Sequence, residues 1–286
     1  MKFFSPAKIN LFLWVKEKRK DGYHELETVM QTIDFGDEIE WNIHDRGQIS
    51  IECNCPEVPL DSSNLVWKAI EFFFQEARIS NPGISVRINK KIPVGAGLGG
   101  GSSNAIRMLV ALNRHFNCPL SETQMGLIAN ALGSDTHFFL KGGTWLYRGR
   151  GEIPVQEIDA VPLVYLLIFP GINSSTKMVY SRFIFDLTKP GPDPSLLLLK
   201  LKQGSLKEIK NAIVNNLTDA FVGCYHDAEE LFIKISGEEK KQVFVSGSGS
   251  ALFCLFDKEQ EAIKMKGELE KRLNKTIVIA RTYQCS

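Results

Sequence analysis

The sequence has no long apolar run. Its longest, Val161 to Pro170, covers about ten residues, where a helix crossing a bilayer needs about 20, so no membrane association is expected. It has no surplus of charge either. Thirty-four Lys and Arg stand against 33 Asp and Glu, a formal net charge of +1, and the dense basic stretch Lys16 to Lys20 is broken by Glu17. Without a basic field, nucleic acid is not an expected partner. Cysteines are scattered at 53, 55, 118, 224, 254 and 285. Cys53-Asn54-Cys55 is the only close pair, and no second pair lies near it to complete a zinc site. Reduced thiols and no protein-bound metal are expected. There is no internal repeat and no low-complexity tract. A secretory leader is not expected: Phe3 to Val15 is apolar-rich, but Pro6, Lys8 and Asn10 interrupt it and a polar stretch follows where a cleavage site would lie. The expected location is cytoplasmic.

What is present is an ordinary globular composition, 44% hydrophobic and 23% charged over 286 residues. That length suits about two domains, each able to bury a core without disulfides. Strand patterns cover Lys8 to Val15 and Tyr23 to Phe35 around an Asp-Gly turn, and Glu38 to Ile51 alternates like a further hairpin. Helical spacing over Asn64 to Ala77 puts Leu65, Ala69, Phe72 and Phe73 on one face. Ser85 to Asn89 reads as a strand, Asn104 to Phe116 as a helix, and Ser121 to Gln124 as a capping box opening a helix that Gly133 closes. The texture changes past Gly151. There follow a strand at Leu163 to Phe169, a loop at Lys189 to Pro194, and helices near 196–202, 207–217 and 225–235. Val243 to Phe256 reads as strand, glycines, strand, before a helix at 259–273 and a last strand at 276–282. Hairpins without a regular βαβ series indicate α+β, with domains 1–155 and 156–286.

Pro93-Val94-Gly95-Ala96-Gly97-Leu98-Gly99-Gly100-Gly101-Ser102-Ser103 packs five glycines between a strand and a helix. Glycine reaches positive φ and lets backbone amides approach an anion. A helix starting at Ser102 would aim its free N–H groups at the same point. These features describe a phosphate cradle. Gly95-x-Gly97-x-x-Gly100 fits the dinucleotide fingerprint only formally, since Lys90 and Lys91 precede it and no acid stands about 20 residues on. A Walker A loop would need Gly-Lys-Ser/Thr where Gly101-Ser102 stands. No His-Arg-Asp or Asp-Phe-Gly of a protein kinase occurs.

The loop resembles the nucleotide loop of the GHMP small-molecule kinases. Ser5-Pro-Ala-Lys-Ile-Asn-Leu-Phe-Leu13, Asp21-Gly-Tyr-His24, Leu132-Gly-Ser-Asp135 with Phe138-Phe139, and Gly247-Ser-Gly-Ser-Ala-Leu-Phe253 extend the resemblance over nearly the whole chain. It implies a ribosomal protein S5 domain 2-like N-terminal domain and a ferredoxin-like C-terminal domain. It also implies an enzyme that moves the γ-phosphoryl of ATP, with Mg²⁺, to a small-molecule alcohol. The motifs narrow the acceptor to the 2-hydroxyl of a cytidine diphosphate methylerythritol, in the non-mevalonate route to isoprenoids. Monomer or weak homodimer is the expected state.

The same resemblance implies the site residues. Asp135 is the general base, and Lys8, costly to bury unless paired, orients it, keeps it ionised and stabilises charge. Pro93 to Ser103 holds the triphosphate, with Asn64 near the adenine. Phosphate and water supply most magnesium ligands. Asn10, Tyr23 and His24 form a cytidine site, Tyr23 by stacking and His24 by hydrogen bonds to the base edge. Thr176 and Tyr180 give a hydroxyl and a second aromatic, and Gly247, Ser248 and Gly249 approach the substrate diphosphate. Two departures stand out. Asp135-Thr136-His137 replaces the family's Asp-Val-Pro, losing a stiffening proline, and Met30 replaces an aromatic of the cytidine pocket. A GHMP kinase for another alcohol, or a non-catalytic nucleotide-binding regulator, stays open as an alternative.

Overall fold

The computed structural model describes residues 1–185, 191–236 and 242–284. The chain divides into two compact units. One comprises Met1–Ala7, Phe35–Val94 and Gly99–Gly142; the other comprises Lys8–Asp34, Gly95–Leu98 and Gly143–Ser286. Two long strands, β1 (Lys2–Lys18) and β2 (His24–Ile43), pass through both.

In the first unit the 38–43 half of β2 pairs antiparallel with β4 (Ile84–Asn89), and β4 pairs parallel with β3 (Ile49–Cys53). The hairpin expected from the alternation of 38–51 therefore does not form, because β4 takes the place between β2 and β3. Ile84, Val86 and Ile88 alternate inward along β4, as a sheet buried on one face requires. Helix α1 (Leu65–Ala77) buries Val66, Ala69, Ile70, Phe73 and Phe74, a stripe rotated from the expected one. Its phase is set by Asn64, whose side chain caps the Val66 N–H. Helix α2 (Gly100–His115) starts two residues before the expected Ser102, so its first turn lies inside the glycine cluster. It packs on α1, with Phe116 closing an aromatic set with Phe73 and Phe74. Helix α3 (Glu122–Leu132) has the expected Ser121–Gln124 capping box. Phe138 and Phe139 lie in a 3₁₀ turn, His137–Leu140, and are fully buried.

The second unit contains part of a seven-stranded sheet, of which the pairing above is another part, and the whole of a four-stranded one. The 28–31 segment of β2 pairs with β5 (Thr144–Arg148), and β5 pairs with β6 (Ile153–Glu157). Leu13 of β1 stands opposite Asn215 of the short β8 (Val214–Asn215). That strand interrupts the helix expected over 207–217, leaving α6 (Leu206–Ala212) and α7 (Thr218–Cys224) on either side. The other sheet is antiparallel in the order β11 (Thr276–Arg281), β7 (Val164–Phe169), β10 (Leu252–Phe256), β9 (Phe244–Val245). Its helices are α4 (Thr176–Arg182), α5 (Pro194–Gln203), α8 (His226–Ser236) and α9 (Glu259–Arg272). The core gathers Leu166, Ile168, Val179, Phe221, Leu231, Leu252 and Leu269. Gln31, fully buried, accepts from the Tyr165 hydroxyl and from Thr282 Oγ1 and donates to Thr144 Oγ1. Burial holds the Tyr165 hydroxyl protonated far above the usual phenol range. Of the expected loop Lys189 to Pro194, Lys189 and Pro190 lie outside the described residues, as does Cys285.

Candidate active site

The glycine cluster is shaped by three left-handed residues in alternation: Gly95 (φ 67°), Gly97 (φ 74°) and Gly99 (φ 70°). Each would strain an L side chain. Two are also closed by packing. A Cβ on Gly95 would stand 2.1 Å from Asn173 Oδ1, and one on Gly97 would stand 2.3 Å from the Ser246 carbonyl. Gly99 is the N-cap of α2 and offers no side chain. The first-turn N–H groups of α2 have no intrahelical acceptor, and the helix dipole adds partial positive charge there. A helix start of this kind can seat phosphate oxygens.

Around Gly97 the second unit assembles a polar cluster. Lys8, 5% exposed, donates from Nζ to Asn10 Oδ1 (2.5 Å) and to the Gly97 carbonyl (2.9 Å). Asn10 Nδ2 donates to Thr28 Oγ1. Gly247, also left-handed, leaves room beside this group: a Cβ on it would be 3.2 Å from Asn10 Oδ1 and 3.6 Å from Lys8 Nζ. Ser174 donates to the Ser248 carbonyl, and Thr176 Oγ1 lies 3.0 Å from Ser248 Oγ. Expected residues from three distant segments, Lys8, Asn10, Gly97 and Gly247, are thus neighbours.

In the first unit Asp135 follows α3 and accepts a hydrogen bond from Ser102 Oγ at 2.8 Å. The segment after it does not go slack without proline. The hydroxyl of the buried Thr136 is shared between the Ala129 and Gly133 carbonyls. Ser103 is buried, its hydroxyl accepting from Ser5. Asn64 spends both side-chain ends on the α1 cap and the Pro59 carbonyl. His137 is half buried, and burial, with Lys141 nearby, lowers its pKa. Among the described residues no group of three His, Cys, Asp or Glu could hold a metal ion.

The two residues expected at the cytosine separate. His24 packs on Tyr180, ring centroids 4.8 Å apart, and stacks at 5.8 Å on Phe185. Tyr23 is half exposed under the Arg150 guanidinium, 4.7 Å from its ring. Burial, then the Lys18 charge, lowers the His24 pKa, so the ring is neutral at pH 7 with one nitrogen donating and one accepting. Met30 is buried in the core. Next to Phe185, a cavity of about 610 Å³ is lined by Trp14, Glu27, Phe183, Asn215 and Asp219 among others. None of the expected substrate residues lines it. Phe185 had no motif to mark it, nor did two supports of the glycine turns. Asn215 Nδ2 donates to the Val245 and Gly247 carbonyls, and Ser246 Oγ donates to the Gly97 carbonyl. The Asn215-Asn216 pair between apolar residues was the available signal for the first.

Two family descriptions match the chain: GHMP kinases N terminal domain over residues 64–143, and GHMP kinases C terminal over 197–275. The class is therefore that of the GHMP small-molecule kinases, phosphotransferases with ATP as donor. A protein from Caldanaerobacter subterraneus subsp. tengcongensis is 36% identical over 92% of this chain and 91% of its own length. One from Pelotomaculum thermopropionicum is 35% identical over 97% of this chain and 96% of its own. Both are 4-diphosphocytidyl-2-C-methyl-D-erythritol kinases. A crystal structure of 4-(cytidine 5'-diphospho)-2C-methyl-D-erythritol kinase matches with TM-score 0.80 at 27% identity, over 99% of this chain and 100% of that one. A homoserine kinase from Cytophaga hutchinsonii shares the fold, with TM-score 0.73 at 17% identity over 99% and 94%. The chain belongs to the GHMP kinases, in the family of the 4-diphosphocytidyl-2-C-methyl-D-erythritol kinases. No helix among the described residues is long and apolar enough to cross a membrane.

Proposed function

We propose that this kinase transfers the γ-phosphoryl of ATP to the 2-hydroxyl of 4-diphosphocytidyl-2-C-methyl-D-erythritol, a step of the non-mevalonate route to isoprenoids. The observation that carries the reading is the neutral His24 ring held against Tyr180 and Phe185. It provides flat surface and paired donor and acceptor for a pyrimidine, in the same unit as the Lys8–Asn10–Gly247 cluster. The relatives' names supply the rest of the acceptor.

Phosphoryl transfer asks for positioning and charge stabilisation more than covalent chemistry. The amides of Gly97 to Gly101, with Ser102 and Ser103 at the start of α2, hold the triphosphate. Asn64 acts through its place as cap of the helix packed on α2. Magnesium, when bound, would neutralise phosphate charge; the Ser102 hydroxyl would serve as its protein ligand, with phosphate and water as the other oxygens. Asp135 takes the proton of the acceptor hydroxyl as its oxygen bonds to the γ-phosphorus, and the bond to the β-phosphate oxygen breaks to release ADP. Lys8 stabilises charge on the transferred group. Gly247, Ser248 and Gly249 present amides to the acceptor diphosphate, with Thr176 beside them. Asn10, Tyr23, His24 and Tyr180 hold the nucleoside.

The test is ADP release with ATP and Mg²⁺ on the cytidine compound, run beside mevalonate, homoserine and galactose. Turnover with the cytidine compound alone supports the reading. Turnover with another alcohol keeps the Asp135 role and removes the cytidine pocket, and ATP binding with no turnover on any acceptor leaves a regulator.

A further inference from the structure

Two adjacent lysines lead into the nucleotide loop, and they have opposite fates. Lys91 lies at the surface, paired with Glu38, both side chains about half exposed. Lys90 is buried, its side chain 7% exposed, and its Nζ lies 2.5 Å from Oδ2 of Asp37, whose side chain is fully buried. Every polar group of Lys90 is engaged. Its N–H donates to Asn54 Oδ1, its carbonyl accepts from Asn54 Nδ2, and its ammonium donates to Asp37. The other Asp37 oxygen, Oδ1, accepts the N–H groups of Lys91 and Ile92, at 2.7 and 2.8 Å. These are the two residues before Pro93, where the loop begins. At the far side of the loop the same ammonium lies under Gly100: a Cβ there would stand 2.6 Å from Nζ, and Gly100 is the first residue of α2.

Burying an ion pair seldom adds stability over an apolar pair of equal volume, so stability alone does not account for this one. Here that geometry spans both stems of one loop. We propose that Asp37 and Lys90 are positioning residues for the nucleoside triphosphate. Asp37 fixes the entering stem at Lys91 and Ile92, and Lys90 fixes the height of the first turn of α2 at Gly100. They set where the amides stand that receive the phosphates. Neither touches the nucleotide through its side chain. The inference rests on the reading of Gly95 to Ser103 as the nucleotide loop.

The test compares Lys90→Met, which keeps length and burial without charge, with Lys91→Met as control. The readouts are the ATP dissociation constant by calorimetry, KM for ATP, KM for the alcohol, kcat and thermal midpoint. A purely structural loss lowers the active fraction and hence kcat, leaving KM where it was. Displaced amides instead raise the ATP KM and dissociation constant by about tenfold or more, with the acceptor KM within about twofold. Lys91→Met stays within about twofold in all. Lys90→Met leaves Asp37 uncompensated and folds poorly, so the double variant Asp37→Asn/Lys90→Met is made as well. It keeps an oxygen for the two stem amides and buries no net charge. It regains thermal stability over Lys90→Met and keeps the raised ATP KM. An ATP KM within twofold of the unaltered chain in the double variant overturns the proposal, whatever happens to stability. Failure of the unaltered chain to bind ATP overturns the nucleotide reading beneath it, and is recognised without any variant.

Discussion

The two glycine turns of this kinase look alike in sequence and are held in different ways. Both use left-handed glycines, at 95, 97 and 99 in one and at 247 and 249 in the other. The second turn is closed by side chains: a Cβ on Gly249 would stand 2.4 Å from the Phe221 ring, which is fully buried in the core, and Asn215 ties down its carbonyls. The first is closed by Asn173 at Gly95 and otherwise by the second. Gly97 meets the Ser246 and Gly249 carbonyls, while Ser250 and Ala251 donate their N–H groups to the Gly95 and Ala96 carbonyls. One turn rests on the hydrophobic core and the other rests on that turn. On the proposed reading, in which this loop presents bare amides to phosphate, its own side chains cannot prop it and its order is borrowed.

Four variants break or sharpen this comparison. The largest effect comes from one that leaves both turns intact. Asp135→Asn lowers kcat by about 10²–10⁴ while the calorimetric ATP dissociation constant holds; full turnover in this variant would remove the base. Gly97→Ala forces a methyl against the Ser246 carbonyl at φ 74° and raises the ATP KM by about tenfold or more, the acceptor KM moving less. Gly249→Ala, at φ 80° against Phe221, costs stability first, about 2–4 kcal/mol from backbone strain and overpacking. Denaturant unfolding reads it, and ATP KM at permissive temperature changes by less than in Gly97→Ala. Equal effects of the two alanines on ATP would end the distinction between the turn that receives ATP and the turn that props it.

The smallest effect is a pH dependence at His24. Burial and Lys18 lower its folded-state pKa below the ordinary 6.5, so the unfolded chain takes up the proton first as pH falls. Its contribution to stability is complete above about 6.5 and is lost as pH falls through the folded value. His24→Gln flattens that part of the curve. The difference in thermal midpoint between the two proteins, followed from pH 7.5 to 5, narrows on the acid side.

Much of the fold was legible because its signals are local. The Ser121 capping box, the Asn64-led helix and the alternation of 85–89 report their own geometry. What was misread depended on partners far away in sequence. Nothing in 38–51 announces that a strand some 35 residues later will insert between its halves, so a hairpin was expected there. The 3₁₀ turn at Phe138 has no period of its own. Lys8, Asn10, Gly97 and Gly247 could each be named from a motif, but that they stand together follows only from packing. Phe185, Asn215 and Ser246 belong to no motif, since a support is chosen for shape and reach rather than chemistry.

The buried Gln31 knot has a consequence for how the molecule breathes. One side chain links β2, β5, β7 and the residue after β11 through the buried Tyr165 and Thr144 hydroxyls and the partly buried Thr282 hydroxyl, so no single strand can peel away without orphaning the others' polar groups. The amides of these strands should exchange their hydrogens together, near the global unfolding limit. The last turn of α4, with Ser181 and Arg182 exposed, should exchange far sooner. Tyr180 rides on that turn, so the wall behind His24 belongs to the fast-opening part of the molecule.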